Sequence, residues 1–109
     1  MGMSALGGRR SLTMDSGTSS AALSRIGWPS SSAGQRFTTE FSDHMIFIPG
    51  AAGTTVIRNL FDDPVYVIGE VGKGRVLFSG CYYGYRGRLQ GAEKDAVLGL
   101  TAWLAGAGR

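Results

Sequence analysis

Cys81 is the only thiol and His44 the only imidazole in the chain, so nucleophilic chemistry would have to start from one or both. A thiol attacks as its thiolate, which at neutral pH requires a neighbouring base or another device that lowers its pKa. Cys81 ends a β-rich run and is the one catalytic candidate. His44 stands far earlier, ahead of the apolar Met45-Ile46-Phe47-Ile48, and nothing in the spacing brings the two together. A partly buried, inert thiol and a strand-entry histidine are the simpler readings. One His and one Cys do not make a four-ligand zinc site without several carboxylates, so neither metal nor cofactor is expected. The Gly72-Lys73-Gly74 triplet lacks the pattern of a phosphate-binding loop: Val67 stands where the first glycine belongs, and Gly74 where the Ser or Thr that would hold magnesium belongs. A hairpin turn accounts for it.

Binding chemistry is concentrated in the glycine-rich stretch after Gly80. Tyr82, Tyr83 and Tyr85 can stack on sugar rings or bases, while Arg86 and Arg88 meet carboxylates or phosphates. These five are the expected ligand-binding residues. The alternative is a loop whose tyrosines cover the end of a sheet and hydrogen-bond through their hydroxyls. Asp15-Ser16-Gly17-Thr18 has the form of the aspartic-protease triplet, in which a glycine turn presents a carboxylate that shares a proton with a symmetry mate. The Gly- and Arg-rich residues ahead of it offer no supporting strand, so a turn or helix cap is the reading.

The elements that must position these groups follow from hydrophobic pattern. Residues 1–35 are rich in Gly, Ser, Ala and Arg, with few large apolar side chains, and are expected to be poorly structured or a remnant. Ala21 to Ile26 have room for one or two helical turns. The composition shift near residue 36 is the single candidate boundary, and residues 36–109 carry the domain. His44 to Ile48, closed by Pro49-Gly50, predicts a short buried strand, and Thr54 to Arg58 a second. Asp62-Asp63-Pro64 makes a turn. Val65 to Val71 and Arg75 to Ser79 form an antiparallel hairpin, because the glycines of Gly72-Lys73-Gly74 accept the positive φ a tight connection needs. From Glu93 to Ala105, a stripe of Ala96, Val97, Leu100, Trp103 and Leu104 predicts an amphipathic helix. Glu93, Lys94 and Asp95 form its solvated start, and Gly106 stops it.

Composition bounds the rest. The chain has 109 residues, 43% hydrophobic and 17% charged, enough for one core in a globular domain. Eleven basic against eight acidic residues give +3, well short of the clustered basic face that nucleic acid requires. A single cysteine excludes an intrachain disulfide, and a reducing cytoplasm is the expected compartment. No run approaches the roughly 18 apolar residues of a membrane helix, so no membrane partner is expected.

Pro64-Val65-Tyr66-Val67, the run Gly72-Lys73-Gly74-Arg75-Val76-Leu77-Phe78-Ser79-Gly80, Glu93, and the closing Leu100-Thr101-Ala102-Trp103-Leu104 together resemble the C-terminal portion of class I glutamine-amidotransferase-like domains. These include the trehalose-utilisation type and non-catalytic versions. The resemblance covers residues 64–106. It implies an α/β fold, a partial flavodoxin-like sheet with a β-hairpin and a C-terminal amphipathic helix. An enzyme of that family places a cysteine nucleophile at a strand-to-helix turn and a His-Pro-Glu after a later strand. Here Cys81-Tyr82-Tyr83-Gly84 occupies the latter place and supplies no base.

What the resemblance therefore implies is a non-catalytic structural or ligand-binding module and a fragment of a larger protein. Its partners would be the rest of a parent chain or a homo-oligomeric copy, with a carbohydrate or another small molecule as ligand. A hydrolase using Cys81 or an upstream nucleophile is the alternative, and a weak nucleic-acid binder acting through the Tyr/Arg loop is a third. A sheet lacking its first strands would leave an edge and an apolar face uncovered, which favours association with another chain.

Overall fold

The computed structural model describes residues 10–15, 33–39, 44–81 and 91–106. Five strands, β1 (Arg10–Met14), β2 (Arg36–Thr39), β3 (Thr54–Asn59), β4 (Pro64–Val71) and β5 (Gly74–Ser79), form one sheet in the order β2-β1-β3-β4-β5, followed by helix α1 (Gly91–Leu104). Every strand pair is antiparallel. The fold is thus mixed α/β with a meander-like sheet, whereas a flavodoxin-like sheet runs parallel with helices on both faces. The difference has a local cause: β3, β4 and β5 are joined by connections too short for the crossover of a dozen or more residues that parallel neighbours need.

The β4–β5 hairpin forms as its sequence requires. Val71 pairs with Gly74, so the connection is the two residues Gly72 and Lys73, one fewer than expected, and Gly74 belongs to β5. Positive φ is confined to Gly72, at 59°, the pattern of a type II′ turn with glycine in its first central place. In the β3–β4 pair the register passes from Thr55↔Val67 to Ile57↔Tyr66. Val56 is left as a bulge, and successive residues Val56 and Ile57 are both fully buried.

One face of the sheet carries the core. Leu12, Met14, Ile57, Tyr66 and Ile68 meet Ala96, Leu100 and Trp103 of α1. The helix is tied to the sheet near both of its ends. At its first turn Thr39 Oγ1 of β2 donates to Glu93 Oε2 at 2.5 Å. At its last turn Arg75 Nη1 of β5 donates to the Trp103 carbonyl at 2.6 Å, its guanidinium 4.8 Å from the Trp103 ring centre. A cation on the last turn satisfies an orphan carbonyl and offsets the negative end of the helix dipole. Gly106, at φ 107°, ends the helix.

Within the segment read as poorly structured or a remnant, residues 10–14 form β1, an inner strand whose Leu12 and Met14 alternate at strand period into the core. Three expectations are corrected. The predicted strand over His44 to Ile48 is absent: His44 makes an isolated bridge to Cys81, and Met45, Ile46 and Ile48 are exposed. Its amides go instead to two different places, Met45 N to Gly80 O and Phe47 N to Pro64 O, both at 2.9 Å. Glu93 is buried at 2% exposure because it occupies the same stripe as Ala96, Leu100 and Trp103. Leu104, expected on that stripe, is 41% exposed. The helical turns expected over Ala21 to Ile26 lie outside the described residues.

Candidate functional site

Cys81 and His44 do meet, contrary to the reading of their spacing. They are paired in an antiparallel bridge, which places both side chains on one side of the backbone. Gly80 makes the approach possible. A Cβ there would overlap the Met45 carbonyl oxygen and lie 3.0 Å from its carbonyl carbon, so only glycine lets the two backbones close to hydrogen-bonding distance.

The chemistry of the pair is that of an inert thiol. Burial pushes the Cys81 thiol up to about 12 from 9.0, and the negative charge of Glu93 adds to the shift. The imidazole makes no hydrogen bond to the thiol. Asn59 Oδ1 accepts from the amides of Phe61 and Asp63, both at 2.9 Å, which leaves its Nδ2 facing His44 Nε2 at 3.3 Å. That nitrogen must then be the acceptor, and in the neutral ring the proton sits on Nδ1. A cysteine-activating histidine needs the reverse, a lone pair toward sulfur and an N–H toward its orienting amide. His44 Nδ1 is buried without a hydrogen-bond partner.

Asp15, the aspartate of the protease-like triplet, is held by Arg58 through Nε–Oδ1 at 3.4 Å and Nη2–Oδ2 at 3.5 Å. Arg58 also donates to the Asp62 carbonyl at 3.0 Å. With Thr13, Arg36, Asn59 and Leu60 they line a small polar pocket of about 170 Å³. Among the described residues no group of three or more His, Cys, Asp or Glu side chains is placed to hold a metal ion. No helix of the described residues is long and apolar enough to cross a membrane.

The larger cavity lies on the face of the sheet opposite α1. Val67, Gly69, Val71, Val76 and Phe78 form its floor, and the chain from Phe47 to Gly53 forms its wall, enclosing about 350 Å³. Phe47 leans on Phe78 with ring centres 5.8 Å apart and planes tilted by 52°. Gly53 lets the wall close: a Cβ there would stand 3.0 Å from Pro49 Cβ and 3.2 Å from Val67 Cγ1. Gly69 keeps the floor open, since its missing side chain would project beside Ala52 and Val76. Phe78 and Val71 stay 53% and 70% exposed. Glu70 is the one charged residue on the lining.

Comparison of the chain with protein families, with curated proteins and with solved structures finds no match.

Of the predicted site residues, Cys81 is described and Tyr82, Tyr83, Tyr85, Arg86 and Arg88 lie outside the described residues. The sequence reading missed two features. Asn59 had a detectable signal, an Asn heading a Leu-Phe-Asp-Asp turn, where its side chain can accept backbone amides. The groove had one too: Val65 to Ile68 is apolar at both strand parities, which marks a strand with an apolar side chain on each face of the sheet.

Proposed function

We propose that this chain is a non-catalytic module of the amidotransferase-like kind, and that its contact surface is the apolar groove between β4, β5 and the Phe47–Gly53 chain. One observation carries the non-catalytic reading: burial pushes the sole thiol up to about 12, beside an imidazole whose lone pair is already committed to Asn59. On this reading the antiparallel sheet would be the closing part of a larger flavodoxin-like domain. A groove of this volume, lined by aliphatic and aromatic side chains, suits an apolar ring or short aliphatic group. The resemblance adds a carbohydrate-related context, with Tyr82, Tyr83, Tyr85, Arg86 and Arg88 as the residues it would use to bind such a ligand.

Thiol alkylation tests the inert-site half. At pH 8 a shift from 9.0 to about 12 leaves roughly a thousandfold less thiolate. Native Cys81 should therefore react with iodoacetamide far more slowly than the same residue in urea, read by intact mass. A native rate equal to or above the unfolded rate would sink the non-catalytic reading. An anilinonaphthalene probe tests the groove half, with fluorescence expected to rise on binding and to be lost in Phe78→Glu.

A further inference from the structure

We infer that the occupant of the groove is the Leu60–Phe61 hairpin tip of a second copy of this chain, giving a closed two-fold dimer through the exposed β4–β5 end of this sheet face, where Val71 and Phe78 face solvent. The inference rests on the reading of the groove as a contact surface and names what fills it.

The tip is built for presentation. Leu60 and Phe61 are 63% and 74% exposed, an unusual place for two adjacent large apolar side chains. The turn beneath them is rigid: Asn59 Oδ1 accepts from the amides of Phe61 and Asp63, Asp62 N donates to Asn59 O, and Asp62 holds a left-handed φ of 69°. Little conformational freedom is left to lose on docking. Leu60 and Asp62 line the polar pocket together with Thr13 and Arg58. Thr13 lies between core residues Leu12 and Met14 and so faces away from the helix, as the groove does. Tip and groove thus open toward the same side of the sheet.

They also lie at opposite ends of one strand. The tip precedes Pro64 at the start of β4, while the groove runs from Val67 to Val71 at its end. A two-fold axis lying between two facing sheets, perpendicular to β4, carries the tip of each copy over the groove of the other. Both contacts form at once and the assembly closes. Charge agrees with this arrangement. At the tip end Asp62 and Asp63 outnumber Arg36 once Arg58 is paired with Asp15, and at the groove end the exposed Lys73 of the β4–β5 turn faces them. Glu70 stands in register with Arg75 across the hairpin.

Sedimentation velocity on the full chain across a concentration series tests the proposal. A monomer–dimer equilibrium is expected. Phe61→Ser and Phe78→Glu, both at exposed positions, should each weaken it by roughly tenfold or more. Mixing those two variants should restore association, because one intact tip then faces one intact groove. Lys73→Glu should weaken the dimer, and adding Asp63→Lys should recover it. This charge pair decides the matter if either aromatic variant shifts the urea midpoint. A chain that stays monomeric throughout, or a dimer indifferent to both aromatic substitutions, overturns the inference. An open series of larger species overturns the closed two-fold form. The anilinonaphthalene probe separates the two readings: a monomer that binds it retains the groove as a contact surface but not its self-occupancy, and a monomer that does not bind it loses both.

Discussion

Gly80→Ala is the sharpest perturbation of the joint between the 44–47 segment and the sheet. The new methyl would overlap the Met45 carbonyl oxygen and approach its carbon to 3.0 Å. Backbone rather than a flexible side chain stands in the way, so the segment has to move by an ångström or more. That movement breaks the Met45 N to Gly80 O bond of 2.9 Å and loosens the His44–Cys81 bridge. Overpacking costs about 1–3 kcal/mol and a lost backbone hydrogen bond a further ~0.5–1.5 kcal/mol, for a total of about 1.5–4.5 kcal/mol. Gly50→Ala in the same segment is the matched control, since a Cβ there meets nothing within 4 Å. Urea unfolding should place Gly80→Ala well below wild type and Gly50→Ala beside it. Native Cys81 should also alkylate faster in Gly80→Ala as its cover lifts. Equal midpoints for the two alanine variants would refute the close-approach argument.

Asn59→Ala should destabilise the chain by about 2–3 kcal/mol, because the amides of Phe61 and Asp63 both lose their acceptor; Asn59→Asp, which keeps the acceptor, should recover most of this in thermal unfolding. Stability should also fall between pH 9 and 12 because of Cys81. Its folded pKa is raised, so the native state holds its proton where the unfolded chain has released it, and this contribution is present below 9.0 and lost as pH rises toward about 12. Cys81→Ala should lack that component, and identical pH profiles for the two proteins would contradict the burial of the thiol.

The hairpin, the third strand and the terminal helix were legible because their signals are local. Glycine sits where positive φ is needed, β-branched residues run through the strands, and Gly106 follows the last helical turn. What was illegible depends on partners distant in sequence. Leu12 and Met14 become core only because β2 and β3 flank them, and nothing within residues 1–35 reports that. Apolar character misled at Met45 to Ile48, where the amides bond to two separate sites and the side chains remain exposed. At Glu93, residue type was weighed above position: it stands on the stripe of Ala96, Leu100 and Trp103, and a buried threonine hydroxyl makes the carboxylate tolerable there. The meeting of His44 with Cys81 follows from a single glycine whose missing side chain no spacing rule registers.

The tie between Thr39 and Glu93 joins residues 54 positions apart, and it orders events during translation. β1 and β2 leave the ribosome ahead of α1, and the helix that covers Leu12 and Phe37 is complete only once Leu104 has been added. At roughly 5–20 residues per second the nascent chain carries those side chains bare for several seconds.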